Sequence, residues 1–286
     1  MKILVTGANG QLGNELRDLF EEKHPGITTY VDVEQLDITD REAVENFVKS
    51  NDFTHIINCA AYTSVDKAEE DKMTCAAVNI DGIANLGRIA NELGIKVIHI
   101  STDYVFDGKS FRPYSDSDKV NPTSQYGTTK RKGETALLGL APDAIIVRTG
   151  WLYSTYGNNF VKTMLRLGQE KTSLKVVCDQ IGTPTYAADL ARALENIIFA
   201  RQWHPGIIHF SNEGVCSWYD LAVATHRLAG ITGCHISPVM SEDYPTLAVR
   251  PHYSVLDKSK YRATYSASIP HWQEALQRCI ECLQNK

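Results

Sequence analysis

Hydrophobic positions along this chain fall into short unbroken runs separated by helical stripes. Lys2–Thr6, Ile27–Asp32, Thr54–Cys59, Lys96–Thr102 and Ala144–Arg148 are runs of the length and apolarity of strands buried on both faces. Between them, amphipathic spacing predicts a helix through Phe20 and another from an N-cap at Thr39 or Asp40 to about Ser50. A longer helix follows over Ser64–Leu93, with Gly82 as a kink or break, and another starts at Tyr126. Strand and helix alternate five times before residue 150, which predicts an α/β doubly wound parallel sheet of Rossmann type.

Beyond Gly150 the alternation loosens. Trp151–Gly157 reads as an aromatic loop, Asn158–Leu167 as helix, Leu174–Cys178 as strand and Asp179–Thr185 as a turn-rich stretch. Helices are predicted over Ala187–Arg201, Trp218–Ala229 and Trp272–Gln284, with a polar, proline-punctuated segment between the last two. The strand Gly206–Phe210 is expected to rejoin the sheet. Residues 1–150, with 187–212 returning to them, are therefore expected to form one domain. Residues 151–186 and 213–286 form a smaller mixed α/β domain over the C-terminal mouth of the sheet, where ligands of open α/β sheets sit.

Composition narrows the class. With 286 residues, 43% hydrophobic and 22% charged, the chain is long enough for a sizeable core and ordinary for a globular protein. A net charge of −5, with no basic run longer than Lys130-Arg131-Lys132, argues against a nucleic-acid surface. The opening Met-Lys-Ile-Leu-Val-Thr-Gly is too short an apolar run for a signal peptide. No stretch reaches the ~18 apolar residues of a membrane span. Seven scattered cysteines show no disulfide framework, and the nine histidines show no zinc-ligand spacing. Cys279 and Cys282 form a C-x-x-C in a helix without a second pair, which reads as packing. A cytoplasmic protein with no metal site is expected.

The first strand runs directly into Gly7-Ala-Asn-Gly10-Gln-Leu-Gly13 and a helix. Glycines there let the backbone approach a pyrophosphate, which a helix N-terminus holds through free N–H groups and its dipole. Asp32, at the end of the second strand, suits a ribose 2′-hydroxyl, although strand ends are often acidic. Asp37 and Ile38 are placed beside an adenine. Small residues in Ala60-Ala61-Tyr62, after the third strand, suit a backbone under a cofactor. The fourth strand ends in Ser101 and Thr102, then Asp103, and a loop of Tyr104–Gln125 leads into the next helix. In that helix Tyr126 and Lys130 lie four apart on one face, so an ammonium stands beside a phenol and would lower its pKa. Hydroxyl, phenol and ammonium over a nicotinamide are what carbonyl reduction requires.

These stretches resemble the extended short-chain dehydrogenase/reductase family, and within it the reductases of dTDP-4-dehydrorhamnose. The similarity runs over almost the whole chain. It is carried by Gly7–Gly13, Asn58–Glu69, Ser101–Gly108, Tyr126–Lys130, Arg148–Tyr153, Asp179–Thr185 and Arg250–Asp257. The resemblance implies reduction of the C4 keto group of a nucleotide sugar by NADPH or NADH. It makes Tyr126 the proton donor, gives Lys130 the nicotinamide ribose, and puts Thr102 where many relatives carry serine. Gly7, Gly10, Gln11, Leu12, Gly13, Asp32, Asp37, Ile38, Ala60, Ala61 and Tyr62 would line the cofactor, and Val65, Thr102, Asp103, Trp151 and Arg250 the substrate. Arg250 reads equally as a diphosphate ligand or a structural ion pair, and Trp151 has a packing alternative.

Some members hold magnesium at a dimer contact of acidic residues near the chain end. The tail here, Pro270–Leu276, offers only Glu274, so neither a required magnesium nor that dimer is expected, and the chain is a monomer or homodimer. Two other readings stand beside the main one. A non-catalytic cofactor-binding subunit, like the regulatory subunit of methionine adenosyltransferase, resembles the same family, but the complete set of Thr102, Tyr126 and Lys130 argues against it. A reductase of another nucleotide-linked 4-keto sugar would look the same in sequence.

Overall fold

Strands with apolar residues on both faces must be covered on both faces, and the computed structural model, which describes residues 1–285, has that layering. The chain begins with β1 (Ile3–Thr6), α1 (Gln11–Lys23), β2 (Thr28–Val31), α2 (Arg41–Lys49) and β3 (His55–Asn58). The expected long helix follows in pieces: α3 (Val65–Glu70), α4 (Lys72–Ala76), a π-helical turn over Ala77–Gly82, and α5 (Ile83–Leu93). Then come β4 (Lys96–Thr102), α6 (Gln125–Leu140) and β5 (Ile145–Thr149).

The second half holds β6 (Leu152–Tyr153), α7 (Phe160–Glu170), β7 (Ser173–Val177), β8 (Ile181–Gly182), β9 (Thr185–Tyr186) and α8 (Ala187–Ile198). It ends with β10 (Gly206–His209), β11 (Cys216–Ser217), α9 (Trp218–Leu228), β12 (His235–Val239), α10 (Ser259–Tyr265) and α11 (Trp272–Gln284).

The main sheet has the order β10-β5-β4-β3-β1-β2 and every pairing in it is parallel. β10 has rejoined the sheet beside β5, as its apolar run suggested. Alternation along the strands sorts the core into two faces. Ile3, Val5, Ile57, Ile98 and Val147 meet α1 and α8 through Leu16, Phe20, Leu190 and Leu194. Leu4, Ile56, Val97 and Ile146 meet α2, α5 and α6 through Val44, Val48, Leu86, Ile89 and Leu137. From β1 the chain goes out to β2 and then returns across to β3. The connections therefore diverge between β1 and β3, which opens a crevice at their C-terminal ends.

A third core joins α7, α9 and α11 through Val161, Leu221, Trp272, Leu276 and Cys279. Cys279 is buried there while Cys282 on the same helix is exposed, in line with the packing reading of the C-x-x-C. Beyond the broken long helix, β6 and β8 stand in stretches read as loop and turn, and two further elements depart from expectation. The segment read as polar and irregular contains β12, which pairs in parallel with β7, and α10. No helix among the described residues is long and apolar enough to cross a membrane.

Candidate active site

Three side chains proposed for chemistry come together at the C-terminal end of β4. Ser124 starts α6 as its N-cap, its hydroxyl accepting from the Gly127 N–H at 3.1 Å. At Gly127 a side chain is impossible: a Cβ would come within 2.2 Å of the Tyr104 carbonyl oxygen. That close approach presses the first turn of α6 against the end of β4. Tyr126 is thereby brought beside the Thr102 hydroxyl, and its ring meets that of Tyr104 edge-on at 5.5 Å. The Thr102 hydroxyl donates to Asp103 Oδ1 at 3.0 Å and accepts from the Tyr104 N–H at 3.2 Å. Lys130, one turn further along α6, donates to the Ile100 carbonyl at 2.7 Å, two residues before Thr102.

The electrostatics correct one expectation. Burial raises the Tyr126 phenol above its ordinary value; the hydrogen bond with Thr102 opposes the shift, and Asp103 and Tyr104 add to it. The anticipated lowering by Lys130 is absent, because the ammonium turns into the sheet toward Ile100 and His99. Burial pulls Lys130 itself down to about 8, against the pull of Glu134. Asp103 is buried and its carboxyl is pushed up to about 6 by desolvation, which the Thr102 hydroxyl and the neighbouring Ser254 oppose.

The glycine turn lies across the crevice between β1 and β3. Gly7 has φ +65°, and a Cβ there would fall 2.5 Å from the Ala60 amide nitrogen. The loop thus lies flush on Cys59-Ala60. Gly10 caps α1 without any side-chain hydrogen bond, and the first turn carries no acidic residue, so its N–H groups are left for an anion. Gly13 and Gln11 stand in that turn, and the Gln11 side chain accepts from Asn159 at 2.9 Å. Leu12 is buried in the core, so its contribution to a ligand is its backbone N–H. Asp32 is held by the loop, its Oδ2 accepting from Asn9 N and its Oδ1 from Val33 N, both at 2.8 Å. Asp37 is exposed and accepts twice from Thr39. Ile38 is buried in the core cluster beneath α2 and α5.

The residues assigned to substrate spread around the same mouth. Val65 opens α3. A Cβ on Gly150 would fall 2.7 Å from the Asp103 carboxyl, which places that carboxyl directly beneath the step from Gly150 to Trp151. Trp151 has φ +51°, rare for a large residue, and stacks on Trp218 with ring centroids 3.6 Å apart. Arg250 donates to Asp66 Oδ2 at 2.7 Å and to the Tyr104 hydroxyl at 3.3 Å. Of its two sequence readings, the ion pair is the one present without a ligand.

Sequence reasoning passed over several participants. Asn79, in the π-helical turn, accepts from Tyr62 N at 2.9 Å and donates to Tyr62 O at 3.1 Å and Thr129 Oγ1 at 3.2 Å. One amide thus clamps the segment after β3 to the helix carrying Tyr126. Trp218 holds Trp151. His99 Nε2 stands 3.4 Å from the Lys130 Nζ, and Glu134 adds its charge nearby. A π turn flanked by polar residues is a recurring mark of function, but it is invisible without coordinates.

Residues 1–285 match the family described as the RmlD substrate binding domain. The dTDP-4-dehydrorhamnose reductase of Aggregatibacter actinomycetemcomitans is 41% identical over 284 residues, covering 96% of this chain and 97% of that protein. The crystal structure of a dTDP-4-dehydrorhamnose reductase ortholog from Clostridium acetobutylicum matches with a TM-score of 0.95 at 44% identity, covering 99% of this chain and 100% of that one. The Bacillus anthracis dTDP-4-dehydrorhamnose reductase, solved in complex with NADP, matches with a TM-score of 0.93 at 38% identity, covering 98% and 99%. Fold, crevice and full-length similarity agree: the chain belongs to the RmlD substrate binding domain family, the family of the dTDP-4-dehydrorhamnose reductases.

Proposed function

We propose that the chain reduces the C4 keto group of dTDP-4-dehydro-β-L-rhamnose with NAD(P)H, giving dTDP-β-L-rhamnose. The observation that carries this reading is the placing of the Tyr126 phenol beside the Thr102 hydroxyl at the end of β4, with Lys130 one helical turn away. The crevice fits a dinucleotide. Gly7 leaves no room for a side chain above Ala60, and the N-terminus of α1 is free of a side-chain cap. Gly7, Gly10, Gly13 and the N–H groups of Gln11 and Leu12 would hold the pyrophosphate. Asp32 and Asp37 would meet the adenosine end, Ala60, Ala61 and Tyr62 would underlie the middle, and Lys130 would take the nicotinamide ribose. When bound, the reduced nicotinamide supplies the hydride.

The chain supplies the proton and the orientation. Tyr126 donates its O–H proton to the oxygen at C4 as negative charge develops there. A phenol whose pKa lies above that of an ordinary tyrosine gives up its proton only to a strong base, and an alkoxide is one. Thr102, whose own proton goes to Asp103, keeps a lone pair toward Tyr126 and fixes its direction. Asp103, Val65 and Trp151 would contact the sugar. Arg250 would exchange Asp66 for the diphosphate, to which a guanidinium binds in bidentate fashion.

Residues 1–150 and 187–212 serve as the dinucleotide half in this proposal, and 151–186 and 213–286 as the sugar-nucleotide half. The proposed site is complete within one chain, so a monomer or a homodimer would work alike. No magnesium is required, since Glu274 is the one carboxylate in the first turn of α11. The place of reaction is the cytoplasm, in keeping with seven unpaired cysteines.

The test is oxidation of NADPH or NADH with the enzymatically made 4-keto sugar nucleotide, with and without EDTA, and NMR of the product. Oxidation unaffected by EDTA and a rhamno-configured product support the proposal. A different configuration at C4 would reassign the substrate. No turnover of any 4-keto sugar nucleotide would leave a cofactor-binding subunit.

A further inference from the structure

A line of buried polar side chains runs beneath the active site, from the base of the glycine turn to Lys130. Thr6 Oγ1 donates to Asn58 Oδ1 at 2.5 Å. Asn58 Nδ2 faces His99 Nδ1 at 2.9 Å, and His99 Nε2 lies 3.4 Å from Lys130 Nζ. None of the four residues is more than 2% exposed. They sit on β1, β3, β4 and α6, so the line crosses the sheet at the level of the proposed chemistry.

Its direction follows from counting protons. A neutral imidazole has one N–H and one lone pair. With the Asn58 oxygen occupied by Thr6, its NH2 group points at Nδ1. Nδ1 is then the acceptor and the ring proton sits on Nε2, aimed at Lys130. An ammonium has three donors and no lone pair, whereas an amine has one lone pair to offer. The Nε2–H therefore matches the neutral form of the lysine. Lys130 keeps a donor of its own for the Ile100 carbonyl in either form.

We propose that His99 is a positioning residue which, as its Nε2–H tautomer, holds Lys130 beside the Ile100 carbonyl and stabilises the lysine's neutral amine. The assignment of Lys130 to the cofactor rests on the reductase reading, whereas the tautomer and the lysine's titration do not.

The other groups around Lys130 act in both directions. Burial disfavours the ammonium, while Glu134 on α6, Cys59 after β3 and Cys75 on α4 favour it. Tyr126 lies on the same helix face, and Arg148 on β5 is engaged by Glu134. His99 stays neutral, since burial and the neighbouring Lys130 hold its basicity far down.

The test uses the ligand-free full chain. ¹⁵N NMR of labelled histidine reads the His99 tautomer, and ¹³C NMR of labelled lysine follows the Lys130 titration. The expected result is an Nε2–H tautomer. His99→Gln, which can offer an amide N–H in the same place, should leave the Lys130 midpoint near the parent's. His99→Met, of similar bulk with no donor, should raise it by about one pH unit. An Nδ1–H tautomer overturns the proposal, and so does a midpoint unmoved or lowered in the Met variant. Should that variant fail to fold, the tautomer of the parent chain decides alone. Neither measurement involves substrate, so failure of the reductase reading would be seen separately.

Discussion

Glu134 and Arg148 are joined by two parallel hydrogen bonds, Nε to Oε1 at 2.8 Å and Nη2 to Oε2 at 2.7 Å, with both side chains shut off from solvent. Ser101 donates to the same carboxylate at 2.7 Å. α6 is thereby fastened to β4 and β5 one turn beyond Lys130. Burial alone would push the Glu134 carboxyl up, but the Arg148 guanidinium, together with Ser101 and Arg131, outweighs it and holds the group below the usual carboxylate range. A depressed carboxyl stabilises the fold above its unfolded-state pKa, and that contribution fades as pH falls through the folded value. Glu134→Gln, which strands a buried guanidinium, should cost about 3–5 kcal/mol near neutral pH. Urea unfolding measures this, and an unchanged midpoint would refute the fastening role.

Asp103 behaves in the opposite sense. Its carboxyl is pushed up to about 6 by desolvation, so ionising it in the fold costs stability that the unfolded chain does not lose. The penalty is absent below about pH 4, develops as pH rises toward 6, and is complete above. Asp103→Asn cannot ionise. It should match the parent chain near pH 4 and exceed it at pH 8 by on the order of 2 kcal/mol. Melting curves at the two pH values test this, and a difference independent of pH would contradict it. Such a gain is what a residue kept for function rather than stability leaves available.

Trp151 is held in a left-handed backbone conformation by the stack on Trp218 and by the room that Gly182 leaves for it. A Cβ on Gly182 would fall 2.5 Å from the indole. Gly182→Ala should therefore displace the indole and raise the KM for the sugar nucleotide by roughly 10- to 100-fold, the upper end being the scale of a 1 Å misplacement. The dissociation constant of NADPH, read by its fluorescence, should stay unchanged. Equal losses in both would show that Trp151 does not act on the sugar alone.

Much of the parallel-sheet half was legible because parallel strands buried on both faces leave unbroken apolar runs. Lys96–Thr102 and Trp272–Gln284 come out residue for residue. The glycine turn could be read because steric demand leaves glycine few substitutes. β12 was not legible, since His-Ile-Ser-Pro-Val carries a proline and little apolar periodicity at a two-stranded edge. The π turn at Ala77–Gly82 shifts hydrogen bonds without altering composition, so the long helix looked continuous. In the site, spacing put Tyr126 and Lys130 on one face, but the lysine's direction depends on the Ile100 carbonyl and the His99 ring, which only the packed sheet brings near it. Buried polar residues such as Asn79, His99 and Glu134 look in sequence like any surface polar residue.

Everything proposed for the chemistry turns on the phenol of Tyr126 at the end of β4. Tyr126→Phe removes one hydroxyl and leaves the glycine turn, Lys130 and the crevice in place. The decisive measurement is kcat of that variant for the 4-keto sugar nucleotide, taken together with NADPH affinity. A fall in kcat of roughly 10²–10⁴-fold with cofactor affinity held is the expected result. A Phe variant that turns over like the parent would take the proton away from Tyr126.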